Sequence, residues 1–147
     1  MSASAAQALA YALEIGAADT ADARQWADAQ IAAAENPSDD LLALATERNL
    51  ADAVSLLHKL GNDTTGEEVG RLVYRWMLQA IRKGSLAHER AADAIVRLAR
   101  DSSAPSSEAA AQSWHFDDAF YLAKHETYGT VSEVSAEVEQ HLGRFAA

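Results

Sequence analysis

The chain contains no cysteine, which excludes disulfides, thiolate metal sites and thiol nucleophiles at once. Only two prolines and seven glycines interrupt its 147 residues, so helices meet few breaks. Large apolar side chains are scarcer than the 49% hydrophobic content implies, because 34 of those residues are alanine and bury a single methyl each. The core is therefore expected to be thin, with alanine letting helices approach closely. No run of 18 apolar residues occurs, so no membrane-spanning helix is expected. The first fourteen residues lack a basic segment, and Glu14 interrupts their apolar run. No secretory leader is expected from them, and the expected location is cytoplasmic.

What is present is helix-forming sequence punctuated at short intervals. The pattern predicts an all-α fold in one domain spanning residues 1–147, a length that buries roughly 68–70% of the unfolded surface. A first helix is expected from about Ala5 to Ile15, stopped by Gly16. Thr20 can cap a second, with Trp26, Ala27 and Ile31 inward, that ends at Asn36-Pro37-Ser38. Ser38 and Asn49 can cap the next two, the latter stopped by Gly61. Thr65 and Glu68 fit a capping box ahead of a helix that is apolar around most of its circumference. That helix, which carries Trp76, is expected to lie innermost. Gly84 ends it and Ser85 can cap its successor.

Residues 101–107 (Asp-Ser-Ser-Ala-Pro-Ser-Ser) read as a loop or hinge. A helix containing Trp114, Phe116 and Phe120 follows, closed by Tyr128-Gly129. Thr130 and Glu133 form a second capping box ahead of an apolar stripe of Val131, Val134, Val138, Leu142 and Phe145. About eight helices joined by short connections imply antiparallel hairpins, arranged as a compact bundle or a short helical-repeat stack.

Charge is distributed unevenly. Residues 69–100 carry seven basic side chains against two acidic ones, while the segments before and after hold net −9 and −6. Arg71, Arg75 and Arg82 share one face of the helix expected to be central, and are expected to pair with acids of the flanking helices. The alternative is a cleft in which they hold an acidic small molecule. Nucleic-acid binding is not expected, because a net charge of −10 opposes approach to phosphate.

Catalytic and metal motifs fail on chemistry. Gly61 and Gly66 have phosphate-loop spacing, but Glu67 and Glu68 stand where lysine and a hydroxyl are needed. No Glu-x-x-His occurs, so a di-iron bundle site has no ligands. His115 and His125 would be about 15 Å apart on one helix, too far to share an ion. Asp39/Asp40, Glu67/Glu68 and Asp117/Asp118 are sequence neighbours, which diverge on a helix instead of sharing a site. No Gly-x-Ser-x-Gly elbow is present. No catalytic residue, cofactor or metal is therefore assigned.

Two stretches resemble small all-helical bacterial proteins, largely uncharacterised, some of which are similar to immunity proteins of polymorphic toxin systems. The first runs through Ile15-Gly16, Trp26-Ala27-Asp28, Ile31, Leu44-Ala45 and Leu56-Leu57. The second comprises Phe116-Asp117-Asp118, Leu122-Ala123, Tyr128-Gly129-Thr130, Val134, Glu137, Leu142 and Phe145. The resemblance implies a fold and a class, a non-enzymatic domain that binds a protein, and carries no functional residues with it. An acidic surface suits an inhibitor of a basic enzyme such as a secreted nuclease toxin, because complementary charge speeds encounter. The acids expected to make that contact are Asp39, Asp40, Asp63, Glu67, Glu133 and Glu137.

Overall fold

The computed structural model describes residues 1–127 and 129–147; the expected helix stop at Tyr128 lies outside them. Among the described residues there are nine α-helices and one 3-10 turn: α1 (Ala3–Ile15), α2 (Thr20–Ala33), α3 (Asp39–Leu44), α4 (Leu50–Gly61), α5 (Glu67–Arg82), α6 (His88–Arg100), α7 (Ser107–Ser113), the 3-10 turn (Trp114–Phe116), α8 (Ala119–Lys124) and α9 (Val131–Phe145). The all-α expectation holds. No described helix is long and apolar enough to cross a membrane.

The innermost element is α1, not the Trp76 helix. Every residue from Ala6 to Leu13 is buried, and α4, α5 and α6 all pack on it. The reason lies in its composition. Ala-Gln-Ala-Leu-Ala-Tyr-Ala-Leu is apolar around most of its circumference, Gln7 and the Tyr11 hydroxyl aside, and its methyls let three helices close in at once. A helix contacted by three others from distant parts of the chain makes the fold a bundle around a core helix rather than a stack of sequential pairs.

Helix α5 is covered by α1, α6 and α9, which bury Val69, Val73, Tyr74, Met77 and Ile81, while Trp76 stays half-buried. On one side α2 and α3 pack against α4; on the other, α7 and α9 pack against α6, and α8 packs against α9.

Capping follows the sequence at several starts. Ser38, Asn49 and Thr130 each accept the backbone N–H of the third residue on, at 3.2, 3.0 and 3.1 Å. Elsewhere it shifts. Asp19, not Thr20, caps α2 in a reciprocal box with Asp22. Thr65 does not cap α5: Gly66 takes that position with φ 131°, and its N–H donates to Ser103 Oγ at 3.2 Å. Ser85 caps nothing, its hydroxyl donating instead to the Ala80 carbonyl, and α6 starts at His88. Gly61 is the last residue of α4, and Asn62 supplies the left-handed stop at φ 51°.

The 101–107 connection is a loop, as read, but its middle is packed. Ser103, Ala104 and Pro105 are buried, pressed against α5 where Gly70 leaves room for them. A side chain at position 70 would place its Cβ 2.0 Å from the Ser103 carbonyl oxygen. Only glycine fits that crossing. The helix expected around Trp114 to Phe120 is divided into α7, the 3-10 turn and α8, so His115, Asp118 and His125 do not share one helix face.

Candidate functional site

The six acids nominated from sequence do not form one surface. Asp39 and Asp40 lie in the first turn of α3, which packs mainly on α2 and α4. Glu133 and Glu137 lie on α9, which packs mainly on α5, α6 and α8. Asp63 follows α4 and is 3.6 Å from His58 Nδ1, and Glu67 is exposed at the start of α5. Glu137 is already engaged, pairing with His115 Nε2.

The arginine expectation is also corrected. Arg71 donates to the Pro105 carbonyl at 3.4 Å and Arg75 to the Ala146 carbonyl at 2.7 Å. Among the described residues, neither they nor Arg82 lie within 4.0 Å of a carboxylate. None of the three borders the four cavities described between the helices. Arg71 and Arg75 thus reach backbone carbonyls with no counter-charge in range.

The cations that do neutralise acids sit elsewhere. Arg97 Nη2 is 2.9 Å from Glu14 Oε2, and its Nε is 3.7 Å from Asp101. Arg100 pairs with Asp117, Lys124 with Glu89 and Arg144 with Glu108. Around Arg97 a continuous polar network joins three helices. Gln7 meets His58 Nδ1 and His58 Nε2 meets Glu14, while the Tyr11 hydroxyl donates to Asp101. Burial, followed by the Asp101 carboxylate, pushes the Tyr11 phenol far up, and Asp101 accepts a proton that stays put. Gln7, Tyr11 and Glu14 follow one another at helical spacing along α1, so this network is a polar seam in the bundle.

The α2–α4 side has no such neutralisation. Residues 19–63 carry nine carboxylates against Arg24, Arg48 and Lys59, a net −6. Among the described residues no lysine or arginine of that span lies within 4.0 Å of a carboxylate. Arg24 instead donates to the Glu47 carbonyl at 3.1 Å. Asp19 is held below the usual carboxylate range, chiefly by the Asp22 backbone N–H that donates to it. The same helices expose Leu42 (48%) on α3 and Leu50 (50%) at the start of α4. Helices that combine excess carboxylates with exposed leucines offer both charge and apolar anchoring to a partner.

A second feature lies across the molecule. A cavity of about 380 Å³ has Gln112, His115 and Phe116 on one wall and Glu137, Gln140, His141 and Arg144 from α9 on the other. His141 is buried, with Nε2 2.9 Å from the Tyr74 hydroxyl. Burial lowers its pKa to about 4, with Arg144 and His115 adding to the effect, so the ring is neutral at pH 7. Burial also raises the Tyr74 phenol to about 12, so it keeps its proton. The sequence did carry a signal for this site, because His141 interrupts the apolar face of α9 between Val138 and Leu142. Among the described residues no group of three His, Asp or Glu side chains could hold a metal ion.

No protein-family model matches the chain, and no curated protein or solved structure does either.

Proposed function

We propose that this chain is a protein-binding domain whose α2–α4 face docks a basic protein, in the manner of an immunity-type inhibitor of a toxin. The observation that carries the reading is the contrast in charge pairing between the two sides of the bundle. On the α6–α9 side, Glu89, Glu108, Asp117 and Glu137 each have a basic partner, while Asp93, Asp118, Glu126 and Glu133 have none among the described residues. On the α2–α4 side, Asp28, Glu35, Asp39, Asp40 and Asp52 have none among the described residues. Unpaired carboxylates on one face repel one another, which a domain built only for its own stability would relieve. A basic partner relieves it on binding.

Leu42 and Leu50 supply the apolar contact that charge alone lacks, since affinity concentrates in a few desolvated anchors. The contact set is therefore Asp39, Asp40 and Leu42 on α3 with Leu50 and Asp52 on α4; Glu133 and Glu137 leave the set because α9 packs elsewhere.

The test is co-expression with the product of the adjacent reading frame, followed by co-purification at low and high salt. The reading predicts a stable complex with a basic protein that loosens as salt rises and is lost in Leu42→Ala/Leu50→Ala. Purification alone under every salt condition contradicts it.

A further inference from the structure

We infer that the cavity between α7, the 3-10 turn and α9 binds a small aromatic carboxylate. It shares no residue with α2, α3 or α4, so this site stands independently of the docking reading.

The size suits one ring. At about 380 Å³ the cavity falls at the lower end of the range for small-molecule sites, roughly 300–1,000 Å³. Three rings line it: Phe116 lies 5.1 Å from the His141 ring and 5.2 Å from His115, centroid to centroid, and His141 in turn packs 5.0 Å from Phe145 outside the lining. These are tilted and edge-on arrangements, which leave a further ring room to join by an edge or offset contact.

The polar groups choose the substituents. His141 is only 6% exposed and its Nε2 is taken by Tyr74, leaving Nδ1 with no hydrogen-bond partner among the described residues. Nδ1 is not sealed from solvent, and the cavity is the open space His141 borders. A ligand hydroxyl there would take the place of water on that nitrogen. Arg144 is the cation for a carboxylate, because its guanidinium presents the fork that carboxylates match with two bonds. Its present partner, Glu108, is half-exposed, and an exposed pair of this kind exchanges at little cost.

Other ligand classes fit less well. A phosphate dianion would meet one arginine flanked by the carboxylates of Glu108 and Glu137. An organic cation would compete with His115 for Glu137 and face Arg144.

The probe is 4-hydroxybenzoate, titrated into isotopically labelled protein and followed by amide and imidazole NMR shifts. Saturable shifts confined to α7, the 3-10 turn and α9 are expected, with a dissociation constant on the order of 1 mM for so small a molecule. Two comparators separate the parts: 4-hydroxybenzamide lacks the charge and cyclohexanecarboxylate lacks the aromatic ring. Both should bind more weakly. Arg144→Gln, at an exposed position that leaves the fold intact by circular dichroism, should weaken 4-hydroxybenzoate roughly tenfold without affecting the amide. The inference is overturned by unsaturated or scattered shifts at about 20 mM. It is equally overturned if the amide binds as tightly as the acid, or if a folded Arg144→Gln binds like the parent.

Discussion

Glu14 on α1 and Arg97 on α6 meet at 2.9 Å although 83 residues separate them. The other oxygen of Glu14 takes His58 Nε2 from α4, also at 2.9 Å. One carboxylate thus ties the core helix to two of the helices packed on it. Glu14→Gln should lower stability by about 1–2 kcal/mol, a modest value because Arg97 is half-exposed. Urea denaturation of the double-mutant cycle with Arg97→Gln measures the coupling; additive losses would mean that the pair contributes nothing.

Gly70 and Gly143 make opposite predictions from the same substitution. At Gly70 an added Cβ would stand 2.0 Å from one backbone atom and 2.7 Å from two others, none able to swing aside. Gly70→Ala should therefore destabilise by about 3 kcal/mol or more. At Gly143, inside α9, an added Cβ meets nothing within 4 Å. Gly143→Ala should stabilise by about 0.5–1 kcal/mol through the helix preference alone. Thermal unfolding of the two variants side by side checks both signs.

His141 should make the fold sensitive to mild acid. Its pKa is about 4 in the folded chain against about 6.5 when unfolded, so the unfolded state binds the extra proton between those values. Stability is then full above pH 6.5 and falls as pH drops toward 4, by on the order of 2–3 kcal/mol. His141→Gln removes the titrating group while keeping a hydrogen-bonding side chain beside Tyr74. Its unfolding free energy should vary less across that window than that of the parent, as chemical denaturation at stepped pH would show.

Much of the fold was legible because it is local. Ser38, Asn49 and Thr130 act within four residues of themselves, and their caps form as their spacing implies. Thr65 does not cap because Gly66 takes the cap position, where its N–H donates to Ser103, 37 residues away. The core helix was misplaced for a reason of size. Alanines add little to an apolar arc, so α5 with its larger side chains outweighed α1, yet the small methyls are what admit three neighbours. The polar contacts between distant helices were less legible still. Glu14, His58 and Arg97 come together only after α1, α4 and α6 dock, and Glu137 looks free until the chain turn at His115 brings a partner to it.

The central claim is that a basic partner docks on α3 and α4, and its most direct test is the association rate measured against ionic strength for two charge reversals. Asp39→Lys/Asp40→Lys reverses the unpaired face, while Glu133→Lys places the same kind of change on α9. The account predicts that the α3 variant associates at least about tenfold more slowly at low salt and loses most of its salt dependence, with the α9 variant close to the parent. Equal slowing by both, or slowing by Glu133→Lys alone, would contradict it.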